Sequence, residues 1–230
     1  MTRSSASATR RRGAKQGRTP FFVIAAVVAA VLVALVVAIA VGGGNGDEGA
    51  TSTGERNGDA ATTGTVTVSG DALPPFTDIT GDPAVGLTLP TLAGIDQSGA
   101  PMTIGADGRP TMIMFVAHWC PHCQREVPAV QQWVDDGRLP EGVDLVSVST
   151  AIDPNRPNYP PDAWLADEGW TAPVLVDADD TAAQAAGLSA YPFFVAIDGD
   201  GTVVLRTSGE LTTDQLDAIA STLAQGTADQ

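Results

Sequence analysis

Thr111-Met112-Ile113-Met114-Phe115-Val116-Ala117-His118-Trp119-Cys120-Pro121-His122-Cys123-Gln124-Arg125-Glu126-Val127-Pro128-Ala129-Val130 decides how this chain is read. Residues 111–117 form a nearly continuous apolar run, the pattern of a strand buried on both faces. Val127, Val130 and Val134 then recur at helical spacing until Gly137 ends the pattern. Cys120 therefore falls where a buried strand ends and a helix begins. Free backbone N–H groups at that place favour an anion, so Cys120 is expected to be the exposed nucleophile. Cys123, one turn into the helix, is expected to be the resolving thiol.

The chain has two cysteines, both in this CxxC. They can pair with each other and exchange with a disulfide through a mixed-disulfide intermediate. Other uses of the pair fit poorly. A zinc site needs four ligands, and the remaining nitrogen or sulfur candidates, His118 and His122, lie within the same six residues. Covalent haem needs a histidine directly after the second cysteine, where Gln124 stands. A purely structural disulfide across so small a loop would restrain the unfolded chain little. No metal and no cofactor are expected.

Outward from this stretch, Val143–Val148 reads as a second strand and residues 151–161, with four prolines, as a loop. Asp162–Glu168 reads as a short helix, Val174–Val176 as a strand, and Thr181–Ala186 as a helix ended by Gly187. Phe193–Ile197 and Thr202–Arg206 form a hairpin around Asp198-Gly199-Asp200-Gly201. A last helix starts at Thr212, with Gln215 completing a capping box. This order predicts an α/β sandwich with a mixed central sheet.

The beginning of the chain has a different composition. Phe21–Val41 is 21 apolar residues, which as a helix would span roughly 31 Å and match a bilayer core of about 30 Å. Six cations and no acid precede it, which predicts a cytoplasmic N-terminus. A cleaved signal peptide ending at Ala38-Ile39-Ala40 is a rival reading. Either way, the rest of the chain is expected outside the cytoplasm. That rest holds six cations against 27 acids, a net charge of −21. So acidic a body would repel phosphates, which argues against nucleic acid as a partner. Residues 42–75 are rich in Gly, Thr, Ala, Ser and Asp and read as a flexible linker with a reach of roughly 30 Å. The expected organisation is thus a basic tail over 1–20, a transmembrane helix over 21–41, a linker over 42–75 and a catalytic domain over 76–228.

Residues 76–226 resemble the thioredoxin-like fold, and within it the membrane-tethered extracytoplasmic TlpA-type thiol–disulfide oxidoreductases. The residues that carry the resemblance are AHWCPHC at 117–123, REVP at 125–128, AYPFF at 190–194 and IDGDG at 197–201. The resemblance implies a three-layer sandwich with the following site. Pro192 matches the family's cis-proline beside the cysteine pair. Tyr191, Trp119 and Pro121 would border the substrate groove. Glu126 matches a carboxylate close to the pair, and i, i+3 spacing puts it on the same helix face as Cys123. Many thioredoxins carry a buried acid where this chain has Met114, so Glu126 is the candidate proton carrier. The dipeptide Pro121-His122 resembles that of the oxidase DsbA, with His122 as the tuner of the Cys120 thiolate. His118 has no assigned role.

The expected activity is exchange on exported proteins with thiols or disulfides, oxidant-leaning, served by a membrane or extracytoplasmic redox partner. A reductant in cytochrome c maturation is the alternative within the same chemistry. A copper-binding chaperone is the alternative from another class, weakened because no histidine follows position 122.

Overall fold

The computed structural model describes residues 64–226. The tail 1–20, the apolar stretch Phe21–Val41, most of the expected linker and residues 227–228 lie outside the described residues. Among the described residues, no helix is long and apolar enough to cross a membrane.

The apolar run at 111–116 is β4 of the eight strands among the described residues, taken in chain order. A first sheet holds β1 (Thr67–Ser69), β2 (Thr91–Ile95) and β3 (Pro101–Ile104), all antiparallel. Then come β4 (Thr111–Val116), helix α1 (Pro121–Asp135), β5 (Asp144–Ser149), α2 (Pro161–Asp167), β6 (Val174–Val176) and α3 (Thr181–Ala185). The described residues close with β7 (Phe193–Ile197), β8 (Val203–Ser208) and α4 (Thr213–Gly226). The second sheet has the order β6-β5-β4-β7-β8. β4 runs parallel to β5 and antiparallel to β7, which makes the sheet mixed as expected.

β4 sits in the middle because both of its faces are apolar. Met112, Met114 and Val116 pack against Val127, Val130 and Trp133 of α1 and Leu216, Ala220 and Leu223 of α4. Ile113 and Phe115 point the other way, into a second core with Phe76, Leu92, Phe193 and the alanines of α3. The result is a layer of α1 and α4, the central sheet, and an opposite layer of α3 with the small sheet. Gly137 (φ +71°) ends α1, while α1 remains one helix through Pro128. The Thr212–Gln215 capping box opens α4, with Thr212 N–H donating to Gln215 Oε1 at 2.8 Å.

Two differences from the sequence reading concern the N-terminal part. The expected linker does not extend to residue 75. Val66 and Leu73 are buried, Thr67–Ser69 pairs with β2, and Leu73 N–H donates to Ala185 O at 2.9 Å. The alternating Thr65-Val66-Thr67-Val68 is a short strand whose signal is diluted by the surrounding Gly, Ser and Thr. Likewise, β2 and β3 lie in a stretch where no strand was expected. β2 contains Gly94, where a side-chain carbon would stand 3.1 Å from Leu175 Cδ1. Glycine here allows the small sheet to approach β6 closely.

The N-terminal segment is latched to β8 by a buried ion pair. Arg206 Nε donates to Asp82 Oδ2 at 2.8 Å and Nη2 to Oδ1 at 2.5 Å, and both side chains are almost fully enclosed. Nη1 donates to Pro74 O and Ala186 O at 2.9 and 2.8 Å. The Arg206 guanidinium holds the Asp82 carboxyl below the usual carboxylate range. Gly187 (φ +69°) passes directly beside this clasp, and a side-chain carbon there would fall 2.4 Å from Pro74 O.

Candidate active site

Cys120 is the N-cap of α1, and Pro121 fills the first helical position, where a missing N–H costs nothing. Gln124 N–H closes the first helical bond to Cys120 O at 3.0 Å. The geometry divides the two thiols. Cys120 keeps 7% of its surface exposed, and Cys123 keeps none. Cys120 Sγ lies 3.9 Å from Tyr191 O, and the Tyr191–Pro192 peptide bond is cis. Burial, first, pushes the Cys123 thiol well above the ordinary thiol range. Neighbouring Cys120 and Glu126 push the same way, against a backbone hydrogen bond at Ala117. Both cysteines are free thiols in this structure.

Glu126 follows Cys123 by one turn on the inner face of α1, with 2% of its surface exposed. Its Oε1 accepts the Leu211 N–H at 3.0 Å. Burial is the main reason its carboxyl is raised to about 7; the Leu211 bond opposes this, and the charge of Glu210 adds to it. Met114 packs in the same apolar cluster as both cysteines. Glu126 thus acts on the Cys123 thiol from the helix side.

His122 is exposed and forms an ion-pair contact with Glu210, Nδ1 to Oε1 at 2.6 Å. Trp119 is held by its indole N–H, which donates to Ala151 O at 2.8 Å. Tyr191 meets it edge-on at 6.2 Å between ring centres, and the guanidinium of Arg156 lies 4.2 Å above the Trp119 ring. Burial raises the Tyr191 phenol to about 12, so it stays protonated. Trp119 and Pro121 are thereby gathered around Cys120 with Tyr191 and Pro192 by two separate segments of chain.

Three residues acquire places that the sequence did not indicate. His118 is fully buried and staples the 151–161 loop. Its Nδ1–H donates to Pro157 O at 2.7 Å, and its Nε2 accepts Asp153 N–H at 3.2 Å. This bonding fits a neutral ring with one defined tautomer. Arg156 reaches Trp119 from that loop. Glu210, 88 positions after His122, approaches from the β8–α4 connection. No local pattern marks any of them, since each acts across a long sequence separation.

Fold and site together define a thiol–disulfide oxidoreductase of thioredoxin-like architecture. The chain belongs to the Redoxin family, whose model matches residues 68–223. Among curated proteins it is similar to the thiol-disulfide oxidoreductase ResA of Geobacillus thermodenitrificans. The two are 25% identical over 134 residues, which is 58% of this chain and 74% of that protein. ResA of Geobacillus kaustophilus is 24% identical over 135 residues, covering 58% and 75%. Among solved structures, StoA of Bacillus subtilis shares the fold. Its TM-score is 0.50 at 22% identity, over 60% of this chain and 98% of that one.

Proposed function

We propose that this protein exchanges disulfides in exported proteins, held at the membrane by Phe21–Val41 with its catalytic domain outside the cytoplasm, and that it works mainly as an oxidant. The observation that carries the exchange reading is the asymmetry of the sulfurs. Both are buried, but Cys120, at a helix N-terminus, keeps 7% of its surface exposed, while Cys123 is fully enclosed one turn before Glu126. The similarity to proteins named thiol-disulfide oxidoreductase supports the same chemistry. Six cations ahead of the apolar stretch support the orientation.

In the oxidising direction, a substrate thiolate attacks Cys120 Sγ of the Cys120–Cys123 disulfide. The S–S bond breaks and its electron pair leaves on Cys123, which takes the proton of Glu126. A carboxyl that titrates near neutrality suits that transfer. A second substrate thiolate then attacks the substrate sulfur of the mixed disulfide. The substrate disulfide forms and Cys120 leaves as thiolate. Two electrons pass to the cysteine pair, and a membrane or extracytoplasmic partner must remove them. Trp119, Pro121, Tyr191 and Pro192 receive the substrate chain, and His122 tunes Cys120.

Cys123→Ser tests the scheme. It removes the resolving thiol, so mixed disulfides through Cys120 accumulate in cells, and mass spectrometry identifies exported proteins among them. Absence of any adduct at Cys120 would refute exchange. Equilibration with glutathione tests direction: thioredoxin and DsbA differ by about 150 mV, and a potential at the thioredoxin end would remove the oxidant assignment.

A further inference from the structure

One short loop, residues 209–212 between β8 and α4, contacts both polar groups that flank the cysteine pair. Leu211 N–H holds Glu126 from behind. Its neighbour Glu210 faces three groups of α1: His122, Arg125 and, by charge, Glu126. Arg125 Nε lies 3.1 Å from each Glu210 oxygen, and Nη2 lies 2.5 Å from Oε1. Arg125 Nη2 also stands 2.9 Å from His122 Nδ1, the atom that contacts Glu210. That nitrogen cannot donate to the carboxylate and accept from the guanidinium at once. The shorter, ionic contact takes the proton, so Nδ1–H points at Glu210. Arg125 and His122 hold the Glu210 carboxyl at about 2, which keeps it ionised.

His122 and Arg125 stand in the opening turns of the helix that Cys120 caps, and the charge of Cys120 adds the smallest of the influences that raise the Arg125 guanidinium, after Glu210. Arg125 is thus shared between a sulfur that becomes negative on reduction and a carboxylate that is always negative. We propose that Glu210 is a positioning residue that lowers the reduction potential of the Cys120–Cys123 pair, by holding the Arg125 and His122 side chains against its carboxylate and offsetting positive charge beside Cys120. The inference rests on Cys120 being the exchanging thiol. Reduction adds two electrons and two protons to the disulfide, and the Cys120 proton is released again wherever a cation stabilises the thiolate. Less cationic field at Cys120 means less stabilisation of the reduced form and a weaker oxidant. Glu210 therefore offsets the oxidising influence of His122 within the same motif.

The test equilibrates the full chain with mixtures of reduced and oxidised glutathione. Two glutathione thiols give one glutathione disulfide as the protein disulfide becomes a dithiol. Glu210→Gln keeps the shape of the side chain and removes its charge. We expect the equilibrium to shift about threefold to tenfold toward the reduced protein, the range for a partly screened charge, or about 15–30 mV. The ultraviolet absorbance of the Cys120 thiolate should persist to lower pH. Glu210→Asp should stay near the wild type, and Arg125→Gln should shift the equilibrium the opposite way. A merely structural Glu210 would alter the unfolding midpoint and leave the potential in place. An unchanged or lower potential in folded Glu210→Gln, with the wild type equilibrating normally, overturns the proposal. A wild type that does not equilibrate with glutathione overturns the exchange reading itself, and this inference with it.

Discussion

Replacing Glu126 with glutamine should stabilise the folded protein in a pH-dependent way while slowing its chemistry. Glu126 is enclosed, and its carboxyl is raised from an ordinary 4.5 to about 7. Between those values the folded protein keeps a proton that the unfolded chain has lost. Stability therefore falls as pH rises through this window, and the full cost is present above it. Moving a carboxyl over that range makes the contribution at pH 7.5 about 2.5 kcal/mol less favourable than at pH 5. Glutamine can still accept the Leu211 N–H through Oε1 but does not titrate. Any fixed cost of burying its amide, about 1 kcal/mol, is the same at both pH values and cancels in the comparison. Urea unfolding of wild type and Glu126→Gln, at pH 5 and pH 7.5 with reductant present, gives the difference directly. The variant should gain about 2.5 kcal/mol relative to wild type between the two conditions. Its exchange rate should fall about tenfold to a hundredfold, since the Cys123 steps lose their proton carrier. If the two stability profiles ran parallel within about 1 kcal/mol, Glu126 would not titrate near 7, and its role in the Cys123 step would lose its basis.

Three further predictions concern the clasp at Arg206. Arg206→Met strands the buried Asp82 and should cost about 3–5 kcal/mol in urea unfolding; a loss below about 1 kcal/mol would mean the pair carries no weight. Because the Asp82 carboxyl lies below its ordinary value, its contribution is complete above the usual carboxylate range and disappears as pH falls through the lowered value. Wild type should therefore lose part of its stability in acid that Asp82→Asn does not. Gly187→Ala forces a side chain into positive φ and against Pro74 O. It should destabilise by about 3 kcal/mol or more, read from the thermal midpoint.

The central sheet was legible because its signals are local. β4 is apolar on both faces, β6 and β7 are short apolar runs, and the DGDG turn announces the hairpin. The small sheet was not, because β1 and β2 draw their stability from partners rather than from their own pattern. Thr67 pairs with Ala93 across a gap in the chain that no periodicity reveals. The same division holds in the site. Cys120, Cys123, His122 and Glu126 are within seven residues, so a motif and a helical repeat bring them together. Glu210, Arg156 and the staple at His118 are joined to that motif by the fold alone. Glu126 shows both sides: its helix face could be read from spacing, but its raised carboxyl depends on burial under the β8–α4 connection.

The Arg206–Asp82 pair fastens chain segments 124 residues apart. Small domains often do this with a disulfide, which is unavailable here without hazard. A second S–S bond would lie within reach of the chemistry that Cys120 performs, and could be reshuffled by any neighbouring copy of the enzyme. An ion pair with two carbonyl acceptors closes the same loop with no sulfur. The clasp is redox-silent, so the domain can pass through its oxidised and reduced states while its longest tie stays shut.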